Sequence, residues 1–220
     1  MIAEPTDYLA AIEALPAGAR LLLTDVSWEE YESILAALGD YSHLRLAYDS
    51  GKLEVMCPSE KHEGYKGVFT HLIAVLTQEL DQDFLSRGST TLRKKRKAKG
   101  TEPDDCFYIR NYSLVAGKEE IDLSLDPPPD LAIEVDIASK SLNRFPIYVA
   151  MQVPEVWRFG GQQVRFYRLA GESYTEIQNS DAFPFLLSNL LPEFLQQGKV
   201  DGINAMTRAF REWVRANLPK

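Results

Sequence analysis

The sequence has 220 residues, of which 45% are hydrophobic and 25% are charged, and its formal net charge is −8. That length allows one sizeable core, and the composition is typical of a soluble globular domain. The apolar runs fall well short of the roughly 20 residues that cross a membrane. The N-terminus lacks the basic and apolar regions of a secretory signal, so the expected location is the cytoplasm. The two cysteines, Cys57 and Cys106, lie too far apart to indicate a disulfide framework or a structural zinc site.

The first part of the chain predicts helices on either side of a hairpin. Ser27 and Glu30 have the spacing of a capping box and begin an amphipathic helix. The segments Leu44–Tyr48 and Lys52–Met56 flank a turn-forming sequence and predict a β-hairpin. A longer helix is predicted from near Ser59, where apolar residues recur at helical spacing.

The second part of the chain alternates predicted strands with one short helix and ends in helices. The predicted strands are Ser89–Lys95, Pro103–Ile109, Asp130–Ile137, Glu155–Phe159, Val164–Leu169 and Ser173–Ile177, and the short helix is Leu142–Met151. We therefore predict an α/β fold with a mixed central sheet and helices on its faces. The predicted organisation is a single domain, 1–220, with an N-terminal helical segment (1–40), a core (41–178) and a C-terminal helical segment (183–220).

The C-terminal segment carries one apolar stripe, which has two interpretations. Its members are Ile203, Met206, Phe210, Trp213 and Val214. The stripe either packs on its own domain or forms the interface of a homodimer.

Acidic residues on two predicted strands suggest the chemistry of the protein. Side chains alternate between the faces of a strand, so Asp104 and its neighbour Asp105 point to opposite faces. Glu134 and Asp136 share one face of an otherwise apolar strand, although acidic residues are depleted in strands. A divalent cation would relieve their mutual repulsion, because Mg²⁺ prefers carboxylate oxygens. The alternative is that these carboxylates lie at a solvated strand end or pair with Arg and Lys.

A basic stripe interrupts the acidic chain. Its members are Arg93, Lys94, Lys95, Arg96, Lys97 and Lys99. A local stripe on an acidic body fits a protein that contacts the phosphates of nucleic acid in one place. The equally open alternative is a solvated edge strand that lysines guard against pairing.

Four stretches in order resemble a family of restriction-endonuclease-type bacterial proteins within the PD-(D/E)XK nuclease superfamily. They are Leu53–Pro58 with His62 and Glu63, Gly100–Ile109, Pro128–Val135, and Ile147–Tyr148 with Val153–Trp157. The resemblance implies a restriction-endonuclease-like core, a mixed sheet flanked by helices. It also implies that Asp104 and Glu134 are the paired carboxylates, and that Glu63 matches the position of an additional acidic residue.

The resemblance departs at the lysine of the superfamily motif. Asp136 stands two residues after Glu134, where that lysine belongs, and Arg144 stands where the family often supplies a lysine from the following helix. Arginine can hold a phosphate but stays protonated, so it cannot act as a general base. Lys140 is a nearby substitute.

These observations lead to two hypotheses. In the first, the protein is a nuclease in which Asp104 and Glu134 bind Mg²⁺ or Mn²⁺, aided by Asp136 or Glu63. Arg144 or Lys140 then takes the role of the lysine, and the substrate is nucleic acid, with DNA expected. In the second, the protein keeps the nuclease fold without catalysis and acts as a binding or regulatory module.

Overall fold

The computed structural model describes residues 5–39, 43–137 and 142–219. Its strands, in chain order, are β1 (Arg20–Leu23), β2 (Arg45–Asp49), β3 (Lys52–Met56), β4 (Leu85–Ser86), β5 (Leu92–Lys94), β6 (Lys99–Thr101), β7 (Asp105–Tyr108), β8 (Leu131–Val135), β9 (Glu155–Phe159), β10 (Val164–Ala170) and β11 (Ser173–Ile177). Its α-helices are α1 (Pro5–Glu13), α2 (Trp28–Leu38), α3 (Glu60–Glu79), α4 (Tyr112–Val115), α5 (Phe145–Met151), α6 (Leu191–Val200) and α7 (Ile203–Asn217).

Within the described ranges the strands form two sheets. The first sheet has the order β1-β3-β2-β6-β5 and is antiparallel throughout. The second has the order β11-β10-β9-β8-β7-β4 and is mixed, because β8 and β9 run parallel. The predicted mixed α/β class is confirmed, but the strands divide between two sheets where the sequence predicted one central sheet.

Apolar side chains fill three layers around these sheets. The first sheet packs against α1 and α2, and Tyr31 and Tyr48 stack in that layer. The second sheet packs against α3, α6 and α7. A third cluster joins Ala47 of the first sheet, Ala132 of the second and Tyr148 of α5. Helix α5 therefore lies at the junction of the two sheets.

Local sequence signals account for the helix boundaries. Ser27 Oγ accepts a hydrogen bond from the backbone N–H of Glu30, and the Glu30 carboxylate accepts one from the N–H of Ser27. Helix α5 begins at Phe145, three residues later than predicted. No helix in the described part of the chain is long and apolar enough to cross a membrane.

The structure corrects the prediction for the N-terminal segment and favours one of the two interpretations of the C-terminal stripe. The N-terminal segment was predicted to be helical, but its residues Arg20–Leu23 form strand β1, which pairs with β3. Its Leu21–Leu23 run was too short to show strand alternation. In the C-terminal stripe, Met206, Phe210 and Val214 are buried in the core of the same chain. This supports the interpretation that the stripe packs on its own domain. The homodimer stays a prediction, but the stripe no longer supports it.

Glu155 on β9 gives a testable prediction about pH. Its carboxylate is buried and accepts hydrogen bonds from Trp157 Nε1 (2.6 Å) and from the backbone N–H of Ala182 (2.8 Å). Burial raises the pKa of Glu155 above its ordinary value of 4.5, so folding favours the protonated form. The stability that it contributes is therefore present below pH 4.5 and is lost as the pH rises through the folded pKa.

We expect the free energy of unfolding of the wild type, relative to Glu155→Gln, to fall as the pH rises from about 4 to about 8. Glutamine cannot ionise, so the variant does not lose stability through ionisation at this position as the pH rises. Urea denaturation of both proteins across that range measures the difference. A relative stability of the wild type that rises with pH would contradict the prediction.

Candidate functional site

Asp104 and Glu134 meet where the two sheets join. Strands β7 and β8 are antiparallel, with Asp105 opposite Ile133. The same register continued by one residue places Asp104, in the segment between β6 and β7, opposite Glu134. Both side chains are buried, with residue exposures of 1% for Asp104 and 8% for Glu134. Two carboxylates thus face each other in a water-poor environment.

Asp105 lies on the other face of β7, as the strand alternation predicts. Its carboxylate accepts hydrogen bonds from Thr70 Oγ1 (2.9 Å) and Ser86 Oγ (2.8 Å). Burial raises its pKa. Asp105 is therefore held by neutral partners, away from Glu134.

The two oxygens of Asp104 have different surroundings. Oδ2 accepts a hydrogen bond from the backbone N–H of Val135 (2.6 Å) and lies 3.0 Å from His62 Nε2. Oδ1 is buried and has no hydrogen-bond partner among the described residues. The carboxylate is fixed through one oxygen, and the other oxygen is left available to a ligand.

Glu134 is bound by two side chains from the start of α5. The Arg144 guanidinium donates to Oε2 from Nη1 (2.7 Å), and the Tyr148 hydroxyl donates to Oε1. Burial raises the pKa of Glu134, Arg144 opposes that change and Asp104 adds to it, and the resulting pKa is about 7. Glu134 is therefore harder to ionise than a solvated glutamate, and the Arg144 guanidinium favours its charged form.

Arg144 is the central cation of the site. It is buried, and its Nη2 lies 3.6 Å from Glu54 Oε1. Burial alone would lower its pKa, but Glu134, Asp104 and Glu54 raise the pKa above the ordinary value. One guanidinium therefore neutralises carboxylates from both sheets.

The other predicted metal ligands lie further from the pair. Asp136 contacts Arg158 Nη2 (2.6 Å) and Arg20 Nη2 (3.1 Å). Burial raises the pKa of Asp136, but the two arginines outweigh burial and bring it below the ordinary value. Glu63 is 44% exposed and reaches Asp104 only through His62, whose Nδ1 lies 3.5 Å from it. Neither residue is placed as a direct third ligand.

The structure describes the basic stripe but not the predicted lysine substitute. Lys140 lies outside the described residues. The stripe spans β5, a short 3₁₀ turn and β6, and β5 is an edge strand, as one of the two interpretations expects.

Three members of the stripe pair with acidic residues of the same chain. They are Arg93 with Glu32 (3.2 Å), Lys95 with Glu29 (3.4 Å) and Lys99 with Asp49. Arg96 and Lys97 are exposed.

Sequence reasoning gave no role to four residues of the site: His62, Glu54, Arg20 and Tyr148. Burial works to lower the pKa of His62, but Asp104 and Glu63 raise it to about 9. A signal for Glu54 was present, because Glu54 is an acidic residue in an apolar strand, as Glu134 is. Arg20 carried no local signal, since its partner Asp136 lies 116 positions away.

The donor set fits a hydrated divalent cation. No group of three or more His, Cys, Asp or Glu side chains in the described ranges is arranged to hold a metal ion. Mg²⁺, however, usually keeps several waters and binds one or two carboxylates together with substrate phosphates. Asp104 Oδ1, which has no hydrogen-bond partner among the described residues, provides such a carboxylate oxygen.

Asp104 and Glu134 thus form a pair of buried acidic residues at the join of the two sheets of a mixed α/β fold. Residues 28–198 match the model of the Uma2 family, which is described as "Putative restriction endonuclease". The chain therefore belongs to the Uma2 family, and the resemblance found in the sequence is confirmed. Among curated proteins no match was found.

The solved structures that are similar to this chain include that of a nuclease-like protein. It is described as a "putative nuclease belonging to DUF820", from Anabaena variabilis ATCC 29413. The sequence identity is 15%, and the similarity covers 76% of this chain and 96% of that one, with a TM-score of 0.46.

Proposed function

We propose that the protein is a metal-dependent nuclease that hydrolyses phosphodiester bonds, with DNA as the expected substrate. The observation that carries this proposal is the buried pair of Asp104 and Glu134, in which Asp104 Oδ1 has no hydrogen-bond partner in the described part of the chain. Membership in the Uma2 family supports the same class of reaction. A cytoplasmic location and a homodimer remain part of the proposal.

The residues of the site have separate roles in this proposal. Asp104 and Glu134 would hold Mg²⁺ or Mn²⁺, which supplies an acidified water and polarises the phosphoryl oxygen when bound. Arg144 stabilises the charge that develops on the phosphate and cannot remove a proton from water. Tyr148 and Arg144 hold Glu134 in one orientation. Lys140 remains a candidate for the proton-accepting role.

The basic stripe would contact the backbone of the nucleic acid. Arg96 and Lys97 are exposed, and neither charge is needed for the ion pairs that tie Arg93 and Lys95 to α2. Such contacts give affinity without reading bases, and they weaken as salt rises.

A second candidate function is a catalytically inactive nuclease-fold module. The observation that favours it is the ion pair of Arg144 with Glu134, which neutralises the carboxylate without a metal ion. In this case the protein would bind nucleic acid through the basic stripe and leave it intact.

Incubation of the pure protein with plasmid DNA, single-stranded DNA and RNA tests the proposal. Each substrate is combined with Mg²⁺, with Mn²⁺ or with EDTA. We expect cleavage with the metal ions and none with EDTA, as gel electrophoresis would show. Binding without cleavage in every metal condition would overturn the nuclease in favour of the inactive module, and cleavage that persists in EDTA would overturn metal dependence.

A further inference from the structure

Glu54 of β3 approaches the site from the first sheet, and the proposed nuclease does not yet use it. Its side chain is 4% exposed. Oε2 accepts a hydrogen bond from the backbone N–H of Leu142 (2.8 Å). Oε1 is buried and lacks a hydrogen-bond partner in the described ranges. Glu54 thus has one oxygen fixed by the backbone and one oxygen free.

This arrangement is the same as that of Asp104. In both residues a backbone N–H fixes one carboxylate oxygen, and the second oxygen is buried without a hydrogen bond from the described residues. Glu54 Oε1 lies 3.6 Å from Nη2 of Arg144, and Nη1 of the same guanidinium donates to Glu134 Oε2 (2.7 Å). A buried carboxylate oxygen without a donor costs free energy unless water or a cation meets it. Glu54 therefore has a free oxygen beside the guanidinium that binds Glu134, the second carboxylate of the proposed cation site.

Two arginines stand beside the free oxygen of Glu54 without satisfying it. Arg20 Nη1 and Arg144 Nη2 each lie 3.6 Å from Oε1. At that distance they compensate its charge, but neither donates a hydrogen bond to it. Oε1 therefore keeps its lone pairs for another donor.

We propose that Glu54 is a third carboxylate of the cation site, which acts on a divalent cation through the waters of its hydration shell. This inference rests on the proposed function and deepens it. A water-mediated role agrees with the absence of a three-ligand group among the described residues. Mg²⁺ keeps several of its waters when it binds proteins, and those waters need acceptors. Residues in this outer position set metal affinity by about 10- to 100-fold.

The competing explanation is that Glu54 serves only as the counter-charge of Arg20 and Arg144. The two explanations differ in what they predict for metal binding. Removal of a counter-charge weakens cation binding through the lost negative charge alone, so the variant that keeps the charge, Glu54→Asp, decides between them. An acceptor for hydration water predicts weaker binding in Glu54→Asp, whereas a counter-charge alone predicts unchanged affinity.

Titration of the protein with Mn²⁺ in the absence of nucleic acid, followed by electron paramagnetic resonance of the free ion, distinguishes these explanations. We expect Glu54→Gln to weaken Mn²⁺ binding by about tenfold or more relative to the wild type. Glu155→Gln is the matched control, because Glu155 is an equally buried glutamate whose two oxygens both accept hydrogen bonds. This control is expected to bind Mn²⁺ as the wild type does.

Circular dichroism checks that the variants are folded. Glu54→Asp is measured beside Glu54→Gln, since it keeps the negative charge beside the arginines and withdraws the carboxylate by one methylene. Weaker Mn²⁺ binding is expected there as well. Unchanged affinity in a folded Glu54 variant, or no Mn²⁺ binding by the wild type, would overturn the inference. Cleavage is not the readout, so unchanged affinity in the variant leaves the proposed nuclease standing.

Discussion

Asp104→Asn is expected to lower the rate of metal-dependent cleavage by about a thousandfold, or about 4 kcal/mol of transition-state stabilisation. Asparagine keeps the size of the side chain and can still accept the hydrogen bond from the N–H of Val135. It loses the negative charge, and with it the affinity of the free oxygen for a divalent cation. The loss of cleavage is therefore expected to exceed the loss of stability that follows from removing the partner of His62, which lies 3.0 Å from Asp104.

Asp105→Asn is the matched control for this prediction. Asp105 is the next residue and is equally buried, but its partners are Thr70 and Ser86 on the opposite face of β7. Its removal leaves the carboxylate pair intact. Cleavage rates of both variants and the wild type are compared on the same nucleic acid, with circular dichroism as a check of folding. Equal rates in the two variants would show that Asp104 is not the residue that binds the metal ion.

Arg144→Met is expected to destabilise the protein by about 3–5 kcal/mol, because it leaves buried carboxylates without their shared partner. Methionine fills a similar space but carries no charge. Glu134 loses a hydrogen bond of 2.7 Å, and Glu54 loses one of its two nearby guanidinium groups. The variant also tests whether the site depends on the buried guanidinium of Arg144.

Arg158→Met gives the comparison for that prediction. The Arg158 side chain is 43% exposed and pairs with Asp136 at the surface of the same site. Exposed ion pairs contribute about 0–1 kcal/mol, so a small loss is expected. Urea denaturation gives the free energy of unfolding of both variants. A loss in Arg144→Met no larger than in Arg158→Met would contradict the central role of Arg144.

The sequence predicted the parts of the site that depend on local geometry. Alternation along a strand separated Asp104 from Asp105, and in the structure Asp104 contacts Val135 and His62 whereas Asp105 contacts Thr70 and Ser86. Helix α2 was predicted from the capping box of Ser27 and Glu30, which involves residues three apart. In each case the determining interaction lies within a few residues, so it can be read from the order of the chain.

The parts that were missed depend on contacts between distant segments. The division of the strands into two sheets arises because the segment around Asp104 crosses from β6 in one sheet to β7 in the other. His62 and Glu54 approach Asp104 and Arg144 from elements that the sequence alone could not orient. The pattern of a strand or helix indicates which side chains share a face, but it does not indicate which other element covers that face.

Strand β1 lies outside the part of the chain that matches the Uma2 family model, which begins at residue 28. Its Arg20 nevertheless contacts Glu54 and Asp136, one carboxylate from each sheet. A fragment cut at the family boundary would keep every acidic residue of the site and lose one of its compensating charges. The unit to be produced for biochemistry is therefore longer than residues 28–198, which match the family model, and truncation at residue 28 is expected to lower the free energy of unfolding, as urea denaturation would measure.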